Sequence, residues 1–284
     1  MTAKIIHLGL IQMRFEGSEE KMLEKAVAAC RDVAAKGANI ICLPELFNAP
    51  YFCQGRGDKF FKLAESVPGK TTDALSKVAK ETKTVILCPI FEKTKEGRYF
   101  NSIVVLGTKG ETIGIYHKMH IPSLPPGLYE ENYYFEKGDG GFPVFDTPYG
   151  KIGTLICYDQ WFPEGARIAA SKGAQILFYP TAIGWPKMDR ADLNKAEHEA
   201  WQIIQRSHSI ANNVFVCAVN RAGQESDINF WGTSFVSDPY GRVLAKASSD
   251  KEENLVVKCD LEVIENMRKE WPFLDERCVK VEEC

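Results

Sequence analysis

The sequence predicts a layered α/β protein with a largely mixed sheet, and three features carry that reading. Short apolar, β-branched runs recur along the whole chain. Helical patterns separate several of them, as βαβ units require. The stretch Asn101–Pro148, rich in Pro, Gly and Tyr, reads instead as hairpin and long loop, which calls for antiparallel segments. With 284 residues, 45% hydrophobic and 26% charged, the chain can bury one sizeable core. No repeat, low-complexity tract or linker interrupts it, so a single domain over residues 1–284 is expected.

Ile5–Ile11 alternates as a strand, and Ser18, with Glu20 and Lys21 after it, opens a helix that runs to Lys36 and stops at Gly37, where a C-terminal cap belongs. Asn39–Leu43 is a second strand, Thr71–Thr82 a second helix. Strands are then expected at Thr84–Ile90, Ser102–Leu106, Ile113–Tyr116 and Ile152–Cys157. A helix over Glu164–Lys172 ends before Gly173. Ile176–Tyr179, Val214–Val219, Gly232–Ser237 and Leu255–Cys259 complete the strands. A loop as long as Ser123–Gly141 is uncommon in a compact domain unless it has a task, which makes it a candidate active-site wall.

Charge and composition narrow the function. A net charge of -3 gives no global basic field for nucleic acid or an anionic membrane, so small-molecule chemistry is favoured. The opening MTAKIIHLGLIQM reads as a strand rather than a signal peptide, and no apolar run approaches the roughly 18–20 residues of a membrane span. A soluble, cytoplasmic protein is expected. Nine cysteines are scattered without a CxxC pair, which fits reduced thiols better than a disulfide framework. His198-Glu199 begins like HExxH, but Gln202 stands where the second His is needed, and no metal is expected.

Three polar residues stand out because each lies at or just past the carboxyl end of an expected strand, where open α/β sheets place their ligand sites. Cys157 ends KIGTLIC and precedes Pro163 and Glu164, so its thiol lies between a strand and a helix start. Free N–H groups and a helix dipole in such a place would lower a thiol pKa and bind a developing anion. Glu45 closes ANIICLPELF among apolar neighbours, where desolvation raises a carboxylate toward the range of a general base. Lys118 comes directly after TIGIYH. Each also has an ordinary reading: an inert buried thiol, a solvated loop acid, an exposed loop lysine.

The ordered set LPELF, YHKMHIP, ICYDQWFPE resembles the nitrilase superfamily of carbon-nitrogen hydrolases, and the similarity covers nearly the whole chain. Through PYFCQ at 50–54, CYDQWFPE at 157–164 and FYPTAIG at 178–184 it is most similar to the N-carbamoylputrescine amidohydrolase branch. The resemblance implies a four-layer α-β-β-α sandwich, no cofactor, and a homodimer or larger homo-oligomer. It implies Glu45 as base, Lys118 as electrophilic lysine and Cys157 as nucleophile. In YEENYYF it matches Glu131 to a second glutamate that positions the lysine and substrate, with Glu130 as an adjacent competitor. The ending RKEWPFLDERCVKVEEC departs from the usual Arg pair with Pro and an aromatic residue after it.

The residues just after the nucleophile bear on substrate class. Relatives that act on carboxylate-bearing substrates commonly carry Arg just after Cys-x-Asp, whereas here Gln160 and Trp161 stand there; a neutral amide and an indole suit an aliphatic or cationic chain. Tyr158 would supply a backbone N–H to an oxyanion. For a distal ammonium, Asp189, Asp192, Glu197 and Glu199 are candidate acceptors. The expectation is hydrolysis of N-carbamoylputrescine, a small ureido compound; the alternatives are another ureido compound or amide, and an inactive relative that only binds.

Overall fold

The computed structural model describes residues 5–123, 128–187 and 191–278. The first half runs β1 (Ile5–Gln12), α1 (Glu19–Ala35), β2 (Ile40–Cys42), α2 (Lys70–Thr82), β3 (Val85–Lys93), β4 (Tyr99–Leu106), β5 (Thr112–His117). Next come β6 (Val144–Thr147), β7 (Gly150–Thr154), α3 (Pro163–Ser171), β8 (Ile176–Thr181), β9 (Gly184–Pro186) and α4 (Ala191–Asn212). The chain continues through β10 (Phe215–Asn220), β11 (Ala222–Glu225), β12 (Ile228–Trp231), β13 (Phe235–Ser237), β14 (Val243–Lys246), β15 (Glu253–Asp260) and α5 (Glu262–Glu270).

Two mixed six-stranded sheets result, ordered β15-β1-β2-β3-β4-β5 and β14-β13-β10-β8-β7-β6, with a small third sheet β11-β12-β9. The central strands are buried on both faces, and the period of two sorts their side chains between two cores. Ile40 and Cys42, Val85 and Leu87, Ile103 and Val105 meet Ile152, Ile176, Phe178 and Val216 of the second sheet. The alternate residues Ile41, Ile86, Cys88 and Val104 pack on Met22, Ala26, Cys30 and Val33 of α1 and Leu75 and Val78 of α2. α3 and α4 pack on the outer side of the second sheet against β7 and β10. The layers are therefore α-β-β-α, as the resemblance implied.

Each strand read from the sequence overlaps an observed one, and Ser18 caps α1 by accepting from the Lys21 N–H. The short strands β6, β9, β11, β12 and β14 and the helices α4 and α5 were not foreseen. Cys157 lies beyond β7 rather than in it, as the first residue of a 3-10 turn, Cys157–Trp161. No helix among the described residues is long and apolar enough to cross a membrane.

Candidate active site

Three strand ends bring the chemistry together between the two sheets. β2 lies between parallel β1 and β3 and delivers the chain to Glu45, after which Leu46 takes a left-handed conformation, φ 50°. β5 ends at His117, immediately before Lys118. β7, parallel to β8, leads to Cys157, itself left-handed at φ 42°. Such a φ is costly for a residue with a Cβ and is kept only where surrounding contacts hold it.

What holds the nucleophile turn is Asp159, fully buried. Its Oδ2 accepts from the Ile156 N–H at 2.8 Å and the Tyr116 hydroxyl at 2.7 Å, and its Oδ1 accepts from the His120 N–H at 3.0 Å and contacts His120 Nδ1 at 2.7 Å. One carboxylate thus binds the turn bearing Cys157 to the segment bearing Lys118.

Glu45, Lys118 and Glu131 are all fully buried. The Lys118 ammonium donates to Glu45 Oε1 at 2.8 Å and to Glu131 Oε2 at 2.6 Å. Asn101 donates to the same Glu45 oxygen at 2.7 Å, and the Tyr51 hydroxyl donates to Glu131 Oε1 at 2.8 Å. Glu45 Oε2 has no hydrogen-bond partner among the described residues. A buried carboxylate oxygen without a donor is costly unless a proton or a ligand reaches it, which is what a base needs. Of the two adjacent glutamates, Glu131 faces Lys118, whereas Glu130 pairs with Arg56 at 3.0 Å.

The electrostatics come from burial. Desolvation pushes the Glu131 carboxyl up to about 7, with Lys118 pulling it back and Glu45 adding to the rise. Burial alone would depress the Lys118 ammonium, but the charges of Glu131 and Glu45 outweigh it and hold the group well above its ordinary value. The Cys157 thiol also sits well above its ordinary value, first through burial and then through Glu45, with Lys118 opposing. This reverses the depressed thiol expected from the sequence. Burial is the first cause, and the charges of Glu45 and Glu131 add to it. The surroundings of Cys157 therefore favour the protonated thiol.

A cavity of about 310 Å³ opens on Cys157. Tyr158 and Trp161 line it, as expected, with Tyr129, Trp231, Glu131 and Glu197 among the rest of its wall. Leu128 and Tyr129 come from the loop Ser123–Gly141. Gln160, expected at the substrate, is directed elsewhere. It is fully buried, its Oε1 accepts from Trp201 Nε1 at 2.9 Å and Gln205 Nε2 at 3.0 Å, and it does not line the cavity, because successive residues of a 3-10 turn point in different directions. Asp192 is exposed in the first turn of α4 and is not in the wall; Asp189 lies outside the described residues. Of the three acidic candidates among the described residues, Asp192, Glu197 and Glu199, it is Glu197 that lines the cavity. Tyr51, Asn101 and Asp159 escaped the sequence reading. A signal existed for Asn101, a polar residue inside the apolar run of β4; Tyr51 and Asp159 stood inside the quoted motifs without a role.

The carbon-nitrogen hydrolase family profile matches residues 7–269. The chain is 43% identical over 256 residues to N-carbamoylputrescine amidase of Arabidopsis thaliana, covering 87% of this chain and 84% of that one. It is 35% identical over 277 residues to citrullinase of Francisella tularensis, covering 96% and 95%. A crystal structure of a carbon-nitrogen hydrolase from Helicobacter pylori G27 superposes with a TM-score of 0.91 at 40% identity, covering 96% of each chain. The protein belongs to the carbon-nitrogen hydrolase family and is an enzyme of that class.

Proposed function

We propose that the enzyme hydrolyses the ureido C–N bond of N-carbamoylputrescine, releasing ammonia, carbon dioxide and putrescine. The observation that carries this reading is the Glu197 carboxylate in the wall of the cavity that opens on Cys157, a wall that also holds Glu131 and is largely aromatic and aliphatic elsewhere. A butyl chain suits the Trp161, Trp231 and Tyr129 surfaces, and an ammonium at its end suits both those π faces and the carboxylate. The similarity to an N-carbamoylputrescine amidase supports the same substrate.

Each side chain has a task in the reaction. Glu45 takes the Cys157 proton through its unpartnered Oε2, and the thiolate attacks the ureido carbon. The tetrahedral oxyanion is met by the Lys118 ammonium and the Tyr158 N–H. Collapse expels the terminal nitrogen as ammonia, taking the proton back from Glu45, and leaves an alkylcarbamoyl thioester on Cys157. Water, deprotonated by Glu45, adds to the thioester and returns the thiol. The alkylcarbamic acid so released breaks down to carbon dioxide and putrescine. Glu131, held by Tyr51, keeps Lys118 aimed through both steps.

The test is a panel of ureas that differ only at the distal end. N-carbamoylputrescine should exceed N-carbamoyl-β-alanine in kcat/KM by at least about a hundredfold, or about 2.7 kcal/mol. Citrulline, which adds a carboxylate beside the ammonium, should fall in between. Glu197→Gln should erase most of the preference for the ammonium while leaving butylurea unaffected. Equal or faster turnover of the carboxylate-bearing ureas would move the enzyme to a different ureido or amide substrate.

A further inference from the structure

Behind the base lies a buried ion pair that the reaction itself does not use. Arg221, between β10 and β11, is 1% exposed, and its partner Glu225 ends β11. A guanidinium has five N–H donors, and here each has an acceptor. Nη1 donates to the carbonyls of Glu45 at 3.3 Å and Leu46 at 3.0 Å. Nη2 donates to the Ala49 carbonyl at 2.9 Å and to Glu225 Oε1 at 2.7 Å. Nε donates to that same oxygen at 2.9 Å. The second oxygen of Glu225 accepts the Tyr51 N–H at 2.8 Å.

The backbone acceptors all belong to one short loop, which begins at the base and contains the left-handed Leu46. Tyr51 at its far end is the residue whose hydroxyl holds Glu131. We propose that Arg221 and Glu225 are positioning residues that clamp this loop, so that one ion pair sets the aim of the Glu45 carboxylate and, through Tyr51, that of Glu131. The clamp reaches the substrate wall as well. The Arg221 backbone carbonyl accepts the Gly232 N–H at 3.0 Å, beside cavity-lining Trp231, and the guanidinium lies over Phe230, 5.5 Å from the ring centroid. The small sheet β11-β12-β9, which supplies Gly184, Pro186 and Trp231 to the cavity, is thereby fixed to the loop that carries the base. Five bonds, to three carbonyls and twice to one Glu225 oxygen, are an arrangement that a lysine cannot reproduce, because its ammonium has three donors and no planar fork.

The inference rests on the assignment of Glu45 as base, and the test separates the two. Arg221→Lys, Glu225→Gln and Glu45→Gln are prepared in a Cys278→Ser background, since Cys278 is exposed and would react first. Steady-state kinetics, calorimetric unfolding and the rate of iodoacetamide alkylation at Cys157 are measured for each. In folded Arg221→Lys, kcat should fall about a hundredfold with KM within about threefold, the scale for a misplacement of about 1 Å. Alkylation of Cys157 should slow in parallel, because the thiol loses its proton acceptor; a site merely loosened would be more accessible and alkylate faster. Glu225→Gln, which keeps shape and an acceptor, should show the same pattern at about a tenth of the size. If either variant folds with wild-type kcat and unchanged or faster alkylation, the clamp is refuted; Glu225→Gln decides should Arg221→Lys not fold. If Glu45→Gln keeps its full rate, the base assignment falls and the clamp with it.

Discussion

Replacing Lys118 by Met tests the centre of the proposed mechanism, because that proposal gives this ammonium two separable effects. It is fully buried and bonded to two carboxylates at 2.8 Å and 2.6 Å. Loss of an oxyanion donor in a dry site costs about 3 kcal/mol, or roughly a hundredfold to a thousandfold in kcat. Loss of one partner from a buried ion cluster costs a further 3–5 kcal/mol or so of stability, since Glu45 and Glu131 remain without a cation. For a chain of this size that is a fall of roughly 6–10 °C in Tm.

The stability loss should depend on pH with a definite sign. Without Lys118, Glu131 loses the charge that pulls its pKa down, and it already titrates at about 7 with the lysine present. A folded value above the unfolded one gives stability that is present at low pH and lost as pH rises. Lys118→Met should therefore lie near the wild type at about pH 5 and fall furthest behind above about pH 7. Calorimetry across that range, with single-turnover ammonia release at each pH, reads both effects. A variant that kept its rate and lost only stability would refute the oxyanion role and leave Lys118 a structural partner.

The same geometry makes three more expectations testable. Cys157→Ala should abolish turnover with the fold intact, and isothermal titration should still show substrate binding in the cavity; residual turnover above the buffer rate would remove the covalent path. Gln160→Met should lower stability by about 1–3 kcal/mol, because buried Trp201 and Gln205 lose their shared acceptor. It should leave the substrate charge preference unaltered in the urea panel, and a change there would return Gln160 to the cavity. His117 lies between Glu92 at 3.0 Å and Asp139 at 3.1 Å. Burial opposes its charge but the two carboxylates prevail, so its pKa is raised above 6.5. Its stabilising contribution is complete below that unfolded value and is lost as pH rises through the raised one. The urea midpoint of His117→Gln should thus trail the wild type most at about pH 5.5 and converge with it by about pH 9.

The candidate residues Glu45, Lys118 and Cys157 were legible because each breaks an apolar run at a strand end, a local pattern that needs no knowledge of the fold. Their partners were not. Tyr51 and Glu225 lie 174 positions apart and meet only when the small sheet closes on the Glu45 loop. α4 was illegible for a different reason. Its buried positions include Trp201, Gln205, His208, Ser209 and Asn212, while Leu193 and Ile203 are exposed, so an apolar-in pattern is largely absent. Trp201 and Gln205 donate to the Gln160 side chain, His208 bonds its backbone carbonyl at 2.8 Å, and Asn212 donates to the His208 carbonyl. The same inversion misdirected Gln160 itself, which reads as a solvent or ligand contact and is in fact a buried acceptor. Strands β9, β11 and β12 are only three or four residues long, too short for an alternation to register.

The burial of Cys157, which favours the protonated thiol, has a consequence beyond turnover. Peroxides and disulfides react with thiolates, and many catalytic cysteines that hold a standing thiolate are inactivated by them. Cys157 is 5% exposed, and its burial favours the protonated thiol; in the proposed mechanism it gives up that proton only to Glu45. The enzyme should therefore survive hydrogen peroxide at concentrations that oxidise low-pKa active-site thiols, and it should become vulnerable mainly while substrate analogues draw the proton onto Glu45.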